Sequence, residues 1–118
     1  MINIISSSRY KINRKLLKQE MNKILKNYGI PDNALFNLIF VGKKKMKTIA
    51  SQYKKENAAL PVLSFSYLDK NNTFEKEDPL GEIFICYPLT ILLAAERERK
   101  VDVIISQLVK HGIDNILR

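Results

Sequence analysis

Residues 35–53 constrain the fold more than any other stretch of the chain. Leu35-Phe36-Asn37-Leu38-Ile39-Phe40-Val41 is nearly continuous apolar, the pattern of a strand buried on both faces. Gly42 follows, and the apolar period then changes. Met46, Ile49, Ala50 and Tyr53 recur at i, i+3, i+4 and i+7, one core-facing helical stripe. A buried strand that runs straight into an amphipathic helix needs a sheet with helices packed against it.

The rest of the chain repeats this alternation. Ile2-Asn3-Ile4-Ile5 reads as a first strand, and Ser8 is placed to cap the helix that follows. Ile12, Leu16, Met21, Ile24, Leu25 and Tyr28 form that helix's apolar stripe, and Gly29 and Pro31 end it. Pro61 opens a third strand, 62–67. Residues 69–78 are polar and acidic, the composition of a loop. Gly81 to Cys86 forms a fourth strand. Pro88 suits a helix start, with one helix over 89–99 and another over 101–117. The order β-α-β-α-β-β-α-α predicts an α+β fold, a small mixed sheet of about four strands packed with about four helices. Its 118 residues fit a single domain spanning 1–118.

Charge gives the first functional signal. Residues 1–56 hold 13 Lys and Arg against Glu20, Asp32 and Glu56, whereas residues 57–118 hold seven against nine Asp and Glu. A half this basic suits a polyanion, because each cation placed on a phosphate releases condensed counterions. The competing reading is a Lys-rich solvated surface. No apolar run approaches the ~20 residues that cross a bilayer. The start, Met1 to Ile5, lacks the pattern of a signal peptide. Cys86 is the single cysteine and has no internal disulfide partner. Together these features predict a reducing, cytoplasmic setting and no membrane partner. Cys86 itself reads as inert core. Ser6-Ser7-Ser8 is a turn or cap, and the 96–99 Glu-Arg-Glu-Arg run is a solvated helix face.

Three segments carry a more specific signal. Tyr53-Lys-Lys-Glu-Asn-Ala-Ala-Leu-Pro-Val-Leu-Ser-Phe65 follows, without a gap, the pattern Y-R-G-K-D-x-P-T-D-V-L-S-F. Leu80-Gly81-Glu82-Ile83-Phe84-Ile85 follows L-G-D-I-x-I. His111-Gly112 begins the pattern H-G-x-x-H-x5-H near the end of the last helix. In these segments the chain resembles the YbeY family of rRNA-maturation endoribonucleases, well over about residues 35–115 and only in kind before that.

The resemblance implies a metal-dependent endoribonuclease hydrolase acting in rRNA processing and ribosome biogenesis, with zinc as cofactor and RNA as partner, rRNA or the small ribosomal subunit. It makes His111 the first metal ligand. Asn115 stands where the second histidine falls, and Arg118 precedes the place of the third, so the metal-binding end of the family pattern is missing from this sequence. Asn is a poorer zinc ligand than imidazole. Asp114 is a carboxylate, off the matched position. Lys54 takes the family's arginine position, thought to meet RNA phosphate; it keeps the charge and loses the bidentate fork. Leu60 and Pro61 replace the family's Thr-Asp. Lys43, Lys44, Lys45, Lys47, Lys54 and Lys55 are the expected RNA-binding residues. Read from its own helix alone, His111 at the edge of the stripe Val101, Ile104, Ile105, Leu108 and Gly112 is a half-buried helix histidine. The leading expectation is a YbeY-like endoribonuclease. The alternative is a catalytically silent RNA- or ribosome-binding module that kept the basic surface and lost the metal.

Overall fold

In the computed structural model, residues 1–55, 57–67 and 79–118 are described; the acidic loop expected over 69–78 lies outside them. The elements run β1 (Ile2–Ile5), α1 (Arg14–Asn27), β2 (Phe36–Val41), α2 (Lys43–Tyr53), β3 (Val62–Ser66), β4 (Gly81–Cys86), α3 (Tyr87–Glu96) and α4 (Val101–Leu117). This is the predicted order. The sheet is mixed, with strand order β1-β2-β4-β3. β1 pairs parallel with β2, Ile4 opposite Leu38, and β2 pairs parallel with β4, Leu38 opposite Ile83. β3 runs antiparallel to β4, Ser64 opposite Ile83.

Strand alternation splits the apolar side chains between two layers. Ile2, Ile4, Phe36, Leu38, Phe40, Ile83 and Ile85 form one face. Leu17, Met21 and Leu25 of α1 close over it, with Ile105, Val109, Ile113 and Ile116 of α4. The opposite face carries Val41, Leu63 and Cys86, covered by Met46, Ile49 and Ala50 of α2. β2 therefore lies between two layers, as its apolar run requires. Its second face is only partly sealed: Asn37 and Ile39 are half-buried, and Asn3 and Ile5 of β1 on that side are exposed.

Four expectations need correction. Helix α3 ends at Glu96, and Glu98 takes a positive φ of 51°, so residues 97–99 leave the helix in a turn rather than forming a solvated helix face. Helix α1 begins later than the sequence pattern implied, and its cap is Asn13, whose Oδ1 accepts from the Leu16 amide at 3.1 Å. Ser8 sits in a turn closed by Tyr10 N–H donating to the Ser7 carbonyl at 3.1 Å, so the chain uses 6–13 to climb from the sheet before the helix starts. The buried stripe of α2 ends at Ala50, one member short of the expected four. Met46, Ile49 and Ala50 are buried, but Tyr53 is 66% exposed, its ring set edge-on to Phe65 at 5.4 Å between centroids. His111 is exposed rather than half-buried.

Cys86 meets its expectation as core. It is fully buried, and burial pushes its thiol up. A raised, enclosed thiol holds little of the reactive thiolate. Iodoacetamide at neutral pH should leave Cys86 unmodified in the folded chain and label it quantitatively in denaturant, as read by intact mass.

Candidate nucleic-acid interface

Helix α2 reads Lys-Lys-Lys-Met-Lys-Thr-Ile-Ala-Ser-Gln-Tyr, four cations and no acid. Its apolar residues face the sheet, which turns Lys43, Lys44, Lys45 and Lys47 to solvent. Three of these lie in the first turn, where the macrodipole is positive and basic residues are unfavourable by about 0.3–1 kcal/mol each at low ionic strength. Gly42, the N-cap, supplies no side chain to the free amides. Folding alone does not ask for this arrangement; an anion at the helix start would relieve it. Lys54 is the C-cap of α2, its N–H donating to Ala50 O, and is exposed. Lys55 takes a positive φ of 54° and is also exposed.

His111 and Asn115 lie on the opposite layer, on α4. Gly112 seats this helix on β4: a Cβ there would come within 3.0 Å of Ile83. With position 112 flush on the sheet, 111 and 115 turn outward on one helical face, four residues apart. The Asn115 Nδ2 and His111 Nε2 are 3.2 Å apart. Asp114 is engaged elsewhere. It accepts from the Tyr28 phenol at 2.7 Å, a bond that ties the end of α1 to α4 and is the main cause pushing the phenol's pKa up. One imidazole, one amide and a carboxylate already accepting a hydrogen bond do not make a zinc site, and among the described residues no three His, Cys, Asp or Glu side chains group to hold a metal. The α2 lysines and His111 thus occupy different layers of the fold.

A third feature was not read from the sequence. A groove of about 610 Å³ runs between α2 and the sheet, lined by Lys45, Gln52, Tyr53, Phe65, Tyr67 and Glu82, with Ile49 and Phe84 beneath. Glu82 lies at its polar end. The Tyr67 hydroxyl donates to Oε1 at 2.8 Å and the Asn37 amide donates to Oε2 at 3.1 Å. Burial and the bond to Glu82 push the Tyr67 phenol up to about 12, so it stays a donor at physiological pH. The period-two spacing of Phe65 and Tyr67, and of Glu82 and Phe84, was the available signal.

A mixed four-stranded sheet with α1 and α4 on one face and a basic helix on the other is an α+β fold with a known counterpart. The solution structure of a Thermotoga maritima protein matches it with a TM-score of 0.67, covering 96% of this chain and 69% of that one at 24% identity, a likeness of fold. The sequence model of Endoribonuclease YbeY matches residues 3–116, and the chain belongs to this family. Among curated relatives, Endoribonuclease YbeY of Phytoplasma australiense is 35% identical over 83 residues, 70% of this chain and 58% of that protein. The protein of the same name from Thermodesulfovibrio yellowstonii is 32% identical over 90 residues, 74% of this chain and 54% of that one. The chain spans about half the length of the curated relatives it matches.

Proposed function

We propose that this chain acts on RNA as a YbeY-type endoribonuclease in rRNA maturation, in the cytoplasm, and that α2 is the surface that holds the RNA backbone. The carrying observation is the acid-free row of exposed lysines on α2, concentrated where the helix dipole opposes them, in a chain of this family. Lys43, Lys44, Lys45 and Lys47 meet phosphates, and Lys54 and Lys55 extend the basic surface past the helix end. Relative to arginine, Lys54 acts as a point charge without bidentate geometry. No membrane contact enters this reading; no described helix is long and apolar enough to cross one.

A second reading, binding without cleavage, is favoured by the contact between Asn115 and His111. An amide stands in the second ligand position, and the ligands of a zinc-activated water are not assembled from the described residues. Incubation of the chain with a precursor rRNA fragment, with and without zinc, separates the two. Zinc-dependent cleavage supports the endoribonuclease; salt-sensitive binding with intact RNA supports the binding module; neither result leaves the RNA proposal without support.

The helical face shared by 111 and 115 gives a sharper expectation. Asn115→His adds a second imidazole one turn from the first, and should raise zinc affinity on the order of tenfold. Competition against a chromophoric chelator measures it. Unchanged affinity would mean that the two side chains do not converge.

A further inference from the structure

We propose that the groove between α2 and the β3–β4 part of the sheet is a nucleobase pocket, which takes an unpaired RNA base with hydrogen-bond donors on its Watson–Crick edge, guanine fitting best. The inference rests on the RNA-binding role given to α2.

The groove has the three components that reading a single-stranded base requires. The first is exposed aromatic surface. Tyr53 and Tyr67 are 66% and 49% exposed at its rim, and both are backed by packed rings or fixed backbone. Phe65 meets Tyr53 edge-on at 5.4 Å and Phe84 edge-on at 5.7 Å, so the stacking surface is held rigid. The Tyr67 amide donates to the Leu80 carbonyl at 2.9 Å, which fixes its backbone beside β4.

The second is a directed acceptor. Glu82 is half-buried, and its two oxygens are oriented by Tyr67 and Asn37. These bonds use two of a carboxylate's roughly four acceptor positions. A carboxylate held this way pairs with N–H donors. Guanine presents two on one edge, N1–H and the N2 amine, spaced for a bidentate contact; uracil presents one.

The third is backbone charge. Lys45 lines the groove on the same flank of α2 as Ile49, Gln52 and Tyr53, and Lys43, Lys44 and Lys47 continue the cationic surface around the helix. Aromatic rings around a carboxylate also suit a lysine or arginine side chain from a basic protein. Lys45 at the groove and the exposed lysines around the rest of α2 repel such a partner and attract a polyanion, which favours RNA. The pocket lies on the α2 layer, across the sheet from α4 and His111. It is a reading site, separate from the helix that bears the family's first histidine.

Fluorescently labelled uridine decamers, one carrying a central guanosine, test the proposal against the whole chain and its Glu82→Gln and Tyr53→Ala variants, each checked for an unchanged melting transition. The guanosine decamer should bind on the order of tenfold tighter than the all-uridine one. Glu82→Gln should erase that preference, so that the two decamers bind alike, while the salt dependence set by the α2 lysines stays the same. Tyr53→Ala should weaken both decamers. Equal affinity for the two decamers in the unmodified chain overturns the pocket and leaves RNA binding by α2 intact. Failure to bind either decamer overturns both. An arginine-rich peptide whose binding is lost in Glu82→Gln, with no guanosine preference, makes the groove a protein-docking site and also overturns the proposal.

Discussion

Replacing Phe36 with alanine should lower the unfolding free energy by about 3–5 kcal/mol, the largest single-residue effect expected in this chain. Phe36 is completely buried, in a strand flanked on both sides. Its neighbours across the sheet are Ile2 and Gly81. Gly81 has no side chain to lean into the vacated space. The position its Cβ would take is already filled by Ile116 of α4, whose Cδ1 would lie 2.8 Å from it. The hole left by the ring therefore stays largely open, and a cavity that cannot collapse adds its own cost to the lost transfer energy. The strand itself stays tethered, because the Phe36 amide still donates to the Met1 carbonyl at 2.9 Å. Urea unfolding should show a lower midpoint with an unchanged slope. A loss below about 1 kcal/mol would show that the core relaxes around Gly81. Domains of this kind carry only ~5–15 kcal/mol in all, so the variant should be partly unfolded near physiological temperature.

The second large effect concerns binding. Replacing Lys43, Lys44 and Lys45 together with alanine should weaken single-stranded RNA binding on the order of 50-fold near 0.15 M salt. It should also reduce the slope of log K against log salt by about 2, since each phosphate contact on a single strand contributes ~0.7. The fold should survive. All three side chains are exposed, and removing basic residues from a helix's first turn relieves their conflict with the dipole. A variant that melts at the same temperature or higher, yet binds RNA poorly, separates recognition from stability. An unchanged slope would place the phosphate contacts elsewhere.

The architecture could be read in the sequence because period and punctuation agreed. The apolar run 35–41, the glycine after it and the stripe from Met46 placed β2 and α2, and Pro88 marked the start of α3. The Ser8 cap failed because Ile12 extends the apolar spacing of α1 by one turn beyond the helix. Ile12 packs on the core from the preceding segment, and periodicity cannot tell that from a helical position. Tyr53 failed for a related reason: an aromatic at the right spacing reads as core, but the helix ends there and the ring comes to rest on Phe65 at the surface. The candidate site was legible as a list of residues and not as an arrangement. The residue list did not show that the α2 lysines and His111 sit on different layers, since that depends on which face of the sheet each helix covers. The Glu82 network was missed because Asn37 of β2, Tyr67 just past the end of β3 and Glu82 of β4 lie far apart in sequence and meet only through strand register.

The most direct test of the account is the affinity of the unmodified chain for single-stranded RNA, measured by fluorescence anisotropy over a series of salt concentrations. The account predicts binding at low salt that weakens linearly in log K against log salt, with the slope of several phosphate contacts. No binding at low salt, or an affinity that does not change as salt rises, would contradict it.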